Sequence, residues 1–190
     1  MKVHFITSRP SLEKDFETLK RITGVVKATG HVIAYEWMEN AYKREVESKA
    51  PASNWNDIYK DNLSAIAQAD VVIAETTYEN FAVGYQVAVA VQQKKPVLLL
   101  RHEGADKNAF VTGIDDGWVK HRMYTQENID SIVQDFLAEN DITTKDMRFN
   151  FFIDRAIYNY LRWAALKTGK TKAEVLRELV NREIEDKEQY

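Results

Sequence analysis

Short apolar runs alternate with stretches of helical periodicity along residues 1–140. The runs predicted to be strands are Lys2–Thr7, His31–Tyr35, Asp70–Glu75 and Pro96–Leu100. Because the later runs are almost continuously apolar, they favour a parallel sheet that is covered on both of its faces.

Between these runs, apolar residues at spacings of three and four predict helices. The predicted helices are Leu12–Lys27, Asp57–Ala69, Phe81–Gln93 and Thr125–Glu139, the last with Thr125 as its N-cap. Residues 36–55 are polar and irregular, which predicts either a helix or a mobile loop. The alternation of strands and helices predicts an α/β domain with a doubly wound, Rossmann-like parallel sheet.

In doubly wound sheets a ligand binds beyond the carboxyl ends of the strands, at the point where the strand order reverses. The turn Ser8–Ser11 follows the first predicted strand, and the loop Thr76–Gly84 follows the third. We therefore expect these two segments to line a shared pocket.

Composition narrows the class of protein. The 190 residues are 45% hydrophobic and 29% charged, and the formal net charge is −3, so the chain carries no overall basic field. The absence of cysteine excludes disulfides and thiolate metal sites, and we interpret His102 and His121 as loop residues rather than zinc ligands. No apolar run resembles a signal peptide or a membrane span, so we expect a cytoplasmic protein with no metal, no cofactor and no membrane contact.

A second module follows a polar segment. The predicted domains are residues 1–140 and 147–190, joined by a linker at 141–146. The second domain opens with RFNFFI, in which Phe149, Phe151 and Ile153 alternate with Arg148, Asn150 and Phe152, as in a half-buried strand. Two predicted helices follow, Asp154–Thr168 and Thr171–Glu185, and Gly169 ends the first.

One strand and two helices are too few to bury a stable core without a partner, a metal or disulfides. Pairing the strand with its copy from a second chain would bury the phenylalanine face and satisfy the strand edge. The sequence therefore predicts a homodimer or a higher oligomer.

This C-terminal segment resembles the ribbon-helix-helix family of DNA-binding dimers, from the alternating strand through Asp154 to Thr168-Gly169 and Glu174-Val175-x-Arg177. The resemblance implies that the paired strands enter the major groove of DNA, where Arg148, Asn150 and Phe152 would face the bases. Lys170, Thr171 and Lys172, at the start of the second helix, would hold a phosphate. Residues 147–172 contain six Lys or Arg and one Asp, which agrees with this side facing phosphates. The alternative is that the module only dimerises.

The N-terminal segment ADVVIAETTYENFAVGYQVAVAVQQKKPVLLL, residues 69–100, resembles the nucleoside 2-deoxyribosyltransferase family, which includes the hydrolases of deoxynucleoside monophosphates. The resemblance implies a nucleophilic carboxylate directly after Gly84-Tyr85, where this chain has Gln86. The family's second acid falls on Asn62, or on Asp61 if the register slips by one. The ligand-binding residues implied are Ser8, Arg9, Asn62, Glu75, Asn80, Gly84 and Gln86.

Amides at these two positions can form hydrogen bonds but are poor nucleophiles and acids. We therefore expect a pocket that binds a nucleoside or nucleotide without cutting it, in a dimeric DNA-binding protein that acts as a transcriptional regulator. The first alternative is an active transferase or N-glycosidase that uses Glu75, Glu79 or Asp61, with a C-terminal module that only assembles the protein. A third hypothesis is a scaffold or antitoxin-like protein with an empty pocket. His4 is interpreted as a packed core histidine.

Overall fold

A computed structural model of the chain describes residues 1–51, 54–105, 113–114, 116–141 and 151–187. The chain divides into two compact units, Met1–Thr143 and Thr144–Tyr190. The first unit holds a sheet with its helices, and the second holds a pair of helices.

Within the described part of the first unit, five strands form one sheet in the order β2-β1-β3-β4-β5. They are β1 (Lys2–Ile6), β2 (Val32–Ile33), β3 (Val71–Glu75), β4 (Val97–His102) and β5 (Val119–Tyr124). All neighbouring strands are parallel. The chain runs outward from β1 to β2 and returns to β3 on the other side of β1, so the switch point lies between β1 and β3. The predicted α/β parallel sheet is confirmed.

Helices cover both faces of this sheet. The described helices of the first unit are α1 (Arg9–Lys14), α2 (Phe16–Ala28), α3 (Met38–Ala41), α4 (Trp55–Gln68), α5 (Phe81–Gln92) and α6 (Ile129–Asn140). A π-helical segment, Tyr42–Glu47, follows α3, so much of the irregular region 36–55 is helical.

The core lies in two layers because successive strand residues point to opposite faces. Val3 and Phe5 of β1 belong to a layer that contains residues of α2 and α6. Ile6 belongs to the opposite layer, with Ile66 of α4 and Val83 of α5. This arrangement brings β1, α4 and α5 together on one side of the switch point.

Strand β5 was not predicted, so the interpretation of His121 as a loop residue was wrong. The same interpretation of His102 was wrong because β4 extends two residues beyond the predicted end at Leu100. His102 is the last residue of β4, and His121 lies in β5, so neither is a loop residue. The sequence of β5, VKHRMY, has no apolar run because the strand lies at the edge of the sheet and only Tyr124 is fully buried.

Two predicted helix boundaries also need correction. The helix predicted over Leu12–Lys27 is broken at Asp15, where φ is −130° and ψ is 27°. Apolar spacing continues in phase across this break, so periodicity could not reveal it. Thr125 is not the N-cap of α6, which begins after Asn128; instead the Thr125 N–H donates to the Asn128 side chain at 2.7 Å.

The second unit consists of α7 (Arg155–Thr168) and α8 (Lys172–Glu185), which confirms the two predicted helices. Asp154 caps α7 by accepting the Ile157 N–H at 2.8 Å. Gly169 ends this helix with a φ of 69°, a left-handed conformation that favours glycine.

The predicted ribbon is not seen in the described residues, because Phe151–Ile153 form no strand there and Phe152 is fully exposed. Arg148 and Asn150 lie outside the described residues. Such a ribbon requires a second chain to pair with, which a single chain cannot supply. None of the helices in the described part of the chain combines the length and apolar composition that crossing a bilayer requires.

Candidate functional site

The turn after β1 is held by side-chain hydrogen bonds. Ser8 is buried and caps α1, since its Oγ accepts the Ser11 N–H at 3.2 Å and lies 2.8 Å from the Ser11 Oγ. Arg9 is exposed at the start of α1, where its Nε donates to Glu13 at 3.1 Å. The Ser8 side chain therefore shapes this turn, and the guanidinium of Arg9 remains near the surface.

Glu75 ends β3 and is fully buried, with a relative exposure of 0%. Its Oε2 accepts the Ser11 hydroxyl at 2.8 Å. Its Oε1 accepts the Thr77 N–H at 3.0 Å, the Tyr124 hydroxyl at 3.2 Å and the Thr77 hydroxyl. Burial, and then the negative charge of Glu75, raise the pKa of Tyr124 well above its usual range. Through these hydrogen bonds, Glu75 at the end of β3 connects the turn after β1 with the end of β5.

A cavity of about 770 Å³ lies beside the first turns of α5. Asn80 and Gly84, two predicted site residues, both line it. The Asn80 side chain caps α5 by accepting the N–H groups of Ala82 at 2.9 Å and Val83 at 3.4 Å. The remaining lining residues are Thr76, Tyr78, Glu79, Phe81, Val83, Tyr85, Val87, Ala88 and Ile114. The wall is mostly apolar and aromatic, which suits a ring with few polar anchors.

A second, polar cavity of about 900 Å³ shares Tyr78 and Glu79 with the first. Lys14 lies over the Tyr78 ring, 4.4 Å from its centroid. Buried Arg101 also lines this cavity and donates from Nη1 to the Thr76 carbonyl at 3.1 Å. Sequence reasoning missed Lys14 and Arg101. The available signal for Arg101 was its place at the carboxyl end of a buried strand.

Gln86 does not line either cavity. Its Nε2 donates to the Ala82 carbonyl of the same helix at 3.3 Å, and its Oε1 is buried. His4 of β1 is fully buried, and burial lowers the pKa of its ring to about 4, an effect that the Gln86 side chain partly opposes. Within the described residues, neither His4 nitrogen nor the Gln86 Oε1 has a hydrogen bond of normal geometry. The prediction that His4 is a buried core residue agrees with this placement.

The two positions considered for the second acid differ in their contacts. The Asn62 Nδ2 donates to the Ile58 carbonyl of its own helix at 2.7 Å. The Asp61 carboxylate is exposed and accepts the Tyr35 hydroxyl at 3.1 Å. Burial and this hydrogen bond raise the pKa of Tyr35. Among the described residues, no group of three or more His, Asp or Glu side chains is arranged to hold a metal ion.

The switch point thus combines two adjoining cavities with carboxylates in different surroundings. Glu79 is exposed and lines both cavities, whereas Glu75 is enclosed by four donors. Exposed Glu79 is therefore better placed than Glu75 to reach a ligand. The side chains of Asn62 and Gln86 are each bonded to a carbonyl of their own helix.

The chain matches none of the protein-family models against which it was scanned. It is 29% identical over 143 residues to the 5-hydroxymethyl-dUMP N-hydrolase of Tetraodon nigroviridis, an alignment covering 73% of this chain and 98% of that protein. To the proteins of the same name, it is 30% identical over 119 residues in Rattus norvegicus (60% of this chain, 71% of the relative) and 32% identical over 88 residues in Branchiostoma floridae (44% and 82%).

A solved structure supports the fold. The chain resembles the Clostridium botulinum CMP N-glycosidase BcmB with a TM-score of 0.51, over 71% of this chain and 97% of that chain. The sequence identity is 14%, so this likeness concerns the fold alone.

Proposed function

Since this chain belongs to the 2′-deoxynucleoside 5′-phosphate N-hydrolase family, we propose that its N-terminal unit binds a 2′-deoxynucleoside 5′-monophosphate at the switch point of the sheet. The observation that carries the proposal is the cavity of about 770 Å³ beside α5, lined by Asn80, Gly84 and the aromatic rings of Tyr78 and Tyr85. Aromatic faces stack on nucleobases, and polar groups at the rim orient the sugar.

Positive charge near the cavities supports a phosphorylated ligand. Arg9, one of the ligand-binding residues that the family resemblance implies, is exposed at the start of α1. Lys14 and Arg101 line the adjoining polar cavity, where the carboxylates of Asp15 and Glu79 also lie. A guanidinium and an ammonium are the side-chain groups that most often bind phosphate oxygens in proteins.

We further propose that binding proceeds without cleavage of the N-glycosidic bond. Retaining cleavage requires a carboxylate that attacks the anomeric carbon and an acid that protonates the leaving group. The family positions for these groups hold Gln86 and Asn62, which are amides whose side chains bond to their own helices. Glu75 is an unsuitable substitute because buried donors already occupy both of its oxygens.

The names of the relatives favour the alternative, an active N-glycosidase, over a regulator. If this chain is active, the carboxylate that best fits is Glu79, since it is exposed and lines both cavities. Asp61 fits less well because its carboxylate accepts a hydrogen bond from Tyr35.

Incubation with each of the four common 2′-deoxynucleoside 5′-monophosphates tests the proposal. We expect at least one nucleotide to raise the melting temperature by several degrees at a hundredfold excess over Kd. We expect no free base by liquid chromatography, because both family acids are missing. The Gly84→Val variant serves as a control that fills the cavity wall. Base release that Glu79→Gln abolishes would establish the active alternative instead, and absence of any thermal shift would refute the binding proposal.

We propose that the C-terminal unit joins two copies of the chain. In the single chain, α7 and α8 bury only a small common core around Leu161, Ala164 and Val175. Large apolar side chains of these helices remain exposed, among them Ile157, Tyr158, Trp163, Leu166, Val180 and Ile184. A helix pair with so small a core requires further burial against a partner to be stable.

DNA binding by a ribbon-helix-helix dimer remains a prediction. At the start of α8, Thr171 and Glu174 form a reciprocal capping box, and Lys170 bonds to Glu178. The Lys172 ammonium lies over the Tyr158 ring, 4.5 Å from its centroid. Phosphate binding at this end would therefore compete with contacts inside the unit.

A mobility-shift assay on genomic fragments near the protein's own gene tests the DNA prediction. We expect Arg148→Ala and Asn150→Ala to lose preference for particular sequences, because side chains of these types read base edges. Lys172→Ala should weaken binding to all DNA fragments about equally, since a phosphate contact carries no sequence information. Unchanged binding by all three variants, or no shifted band at low salt, would eliminate the DNA prediction.

A further inference from the structure

Two polar side chains, that of fully buried His4 and that of half-buried Gln86, face the same layer of the N-terminal unit. His4 alternates along β1 with Val3 and Phe5, whose side chains pack in the opposite layer. The ring of His4 therefore lies on the side of the sheet that α4 and α5 cover. Gln86 lies on α5, one residue before Val87, which packs in that same layer.

The two side chains have complementary hydrogen-bonding needs. A neutral imidazole carries one N–H donor and one acceptor nitrogen. His4 is neutral at physiological pH, because burial lowers the pKa of its ring to about 4. The Gln86 Oε1 is a buried acceptor without a hydrogen bond of normal geometry in the described part of the chain. Leaving both groups unsatisfied is unfavourable, and the Gln86 side chain is near enough to His4 to raise the pKa of its ring. A hydrogen bond between the two side chains therefore lowers the free energy.

We propose that His4 is a positioning residue that holds the side chain of Gln86 inside the α4–α5 layer, out of the ligand cavity. This inference rests on the proposed function for its consequence, because Gln86 occupies the family's nucleophile position. It explains why Gln86 is absent from the lining of both cavities although Tyr85 and Val87, its neighbours, line one of them.

The imidazole of His4 would also interact with a carboxylate at position 86. A glutamate at 86 would meet a buried imidazole that can take up a proton and form an ion pair with it. The carboxylate would then be drawn toward His4 and would be a weaker nucleophile. Restoring the family's acid at this position therefore requires an apolar residue at position 4 as well.

Nitrogen-15 NMR of the His4 ring tests the contact directly. In the wild-type chain we expect a single neutral tautomer that titrates with a pKa near 4. In Gln86→Glu we expect the pKa of His4 to rise above the ordinary value of 6.5. Glu79→Gln, a change at an exposed carboxylate, is the matched control and should leave the His4 signals in place. Unchanged His4 signals in both Gln86→Glu and Gln86→Met would overturn the proposal.

A double-mutant cycle tests the consequence for the cavity. His4→Phe should free the Gln86 amide to reach the bound nucleotide and tighten Kd by about fivefold to tenfold, the value of one hydrogen bond. In the Gln86→Met background, His4→Phe should leave Kd unchanged. If His4→Phe fails to fold, His4→Leu, which also lacks a hydrogen-bonding group, replaces it. Equal effects of His4→Phe in both backgrounds would refute positioning. If the wild-type chain binds no nucleotide, the proposed function fails, and the NMR experiment still decides the His4–Gln86 contact.

Discussion

Glu75→Ala is expected to lower the free energy of unfolding by about 3 to 5 kcal/mol. The substitution removes the acceptor for the hydroxyls of Ser11, Thr77 and Tyr124 and for one backbone N–H. The hydroxyls of Ser11 and Tyr124 are buried, so without an acceptor they keep their full cost of desolvation. Urea unfolding at 25 °C, followed by circular dichroism, measures the change.

Glu79→Ala is the matched control, because it removes the same side chain at an exposed position four residues later. We expect it to change the free energy of unfolding by no more than about 0.5 kcal/mol. A loss of less than about 1 kcal/mol in Glu75→Ala would mean that the network does not stabilise the fold. Glu75 would then have to be reconsidered as a residue that serves a ligand.

Trp163→Asp is expected to convert the protein from a dimer to a monomer at micromolar concentration. Trp163 is 57% exposed and Leu166 is 77% exposed on α7 in the single chain, so a partner helix can bury both. Placing an unpaired carboxylate in such an interface weakens association by a factor of a hundred or more, about 3 kcal/mol. Light scattering coupled to size-exclusion chromatography should give 22.0 kDa for the variant and twice that mass for the wild type.

Asn159→Asp provides the control, since it adds the same charge at an exposed polar position of α7. It should leave the dimer intact, and circular dichroism should show that both variants keep their helices. A monomeric wild-type protein would refute assembly through the C-terminal unit. A Trp163→Asp variant that stays dimeric would place the interface elsewhere on the chain.

Sequence and structure give different information about the candidate site: the sequence indicates which positions matter, and the structure shows what their side chains contact. The family resemblance implies that Gln86 holds the position of the nucleophile and that Asn62, or Asp61 if the register slips by one, holds that of the second acid. Only the structure shows where these side chains point, because their partners, the carbonyls of Ala82 and Ile58, are set by helix geometry and by what packs beneath. The sequence does not distinguish the roles of Glu75 and Glu79. Glu75 is buried because Ser11 of α1 and Tyr124 of β5, which are distant in sequence, contact its carboxylate.

The sequence by itself determined the parallel sheet, the switch point after β1 and β3, and the two C-terminal helices. Those features follow from local periodicity, capping residues and apolar runs, which neighbouring residues in the chain carry. Tertiary structure decided that β5 completes the sheet and that His4 lies in the layer of α5. These outcomes depend on contacts between residues distant in sequence, and β5 in particular is held at the edge by pairing with β4 rather than by an apolar run of its own.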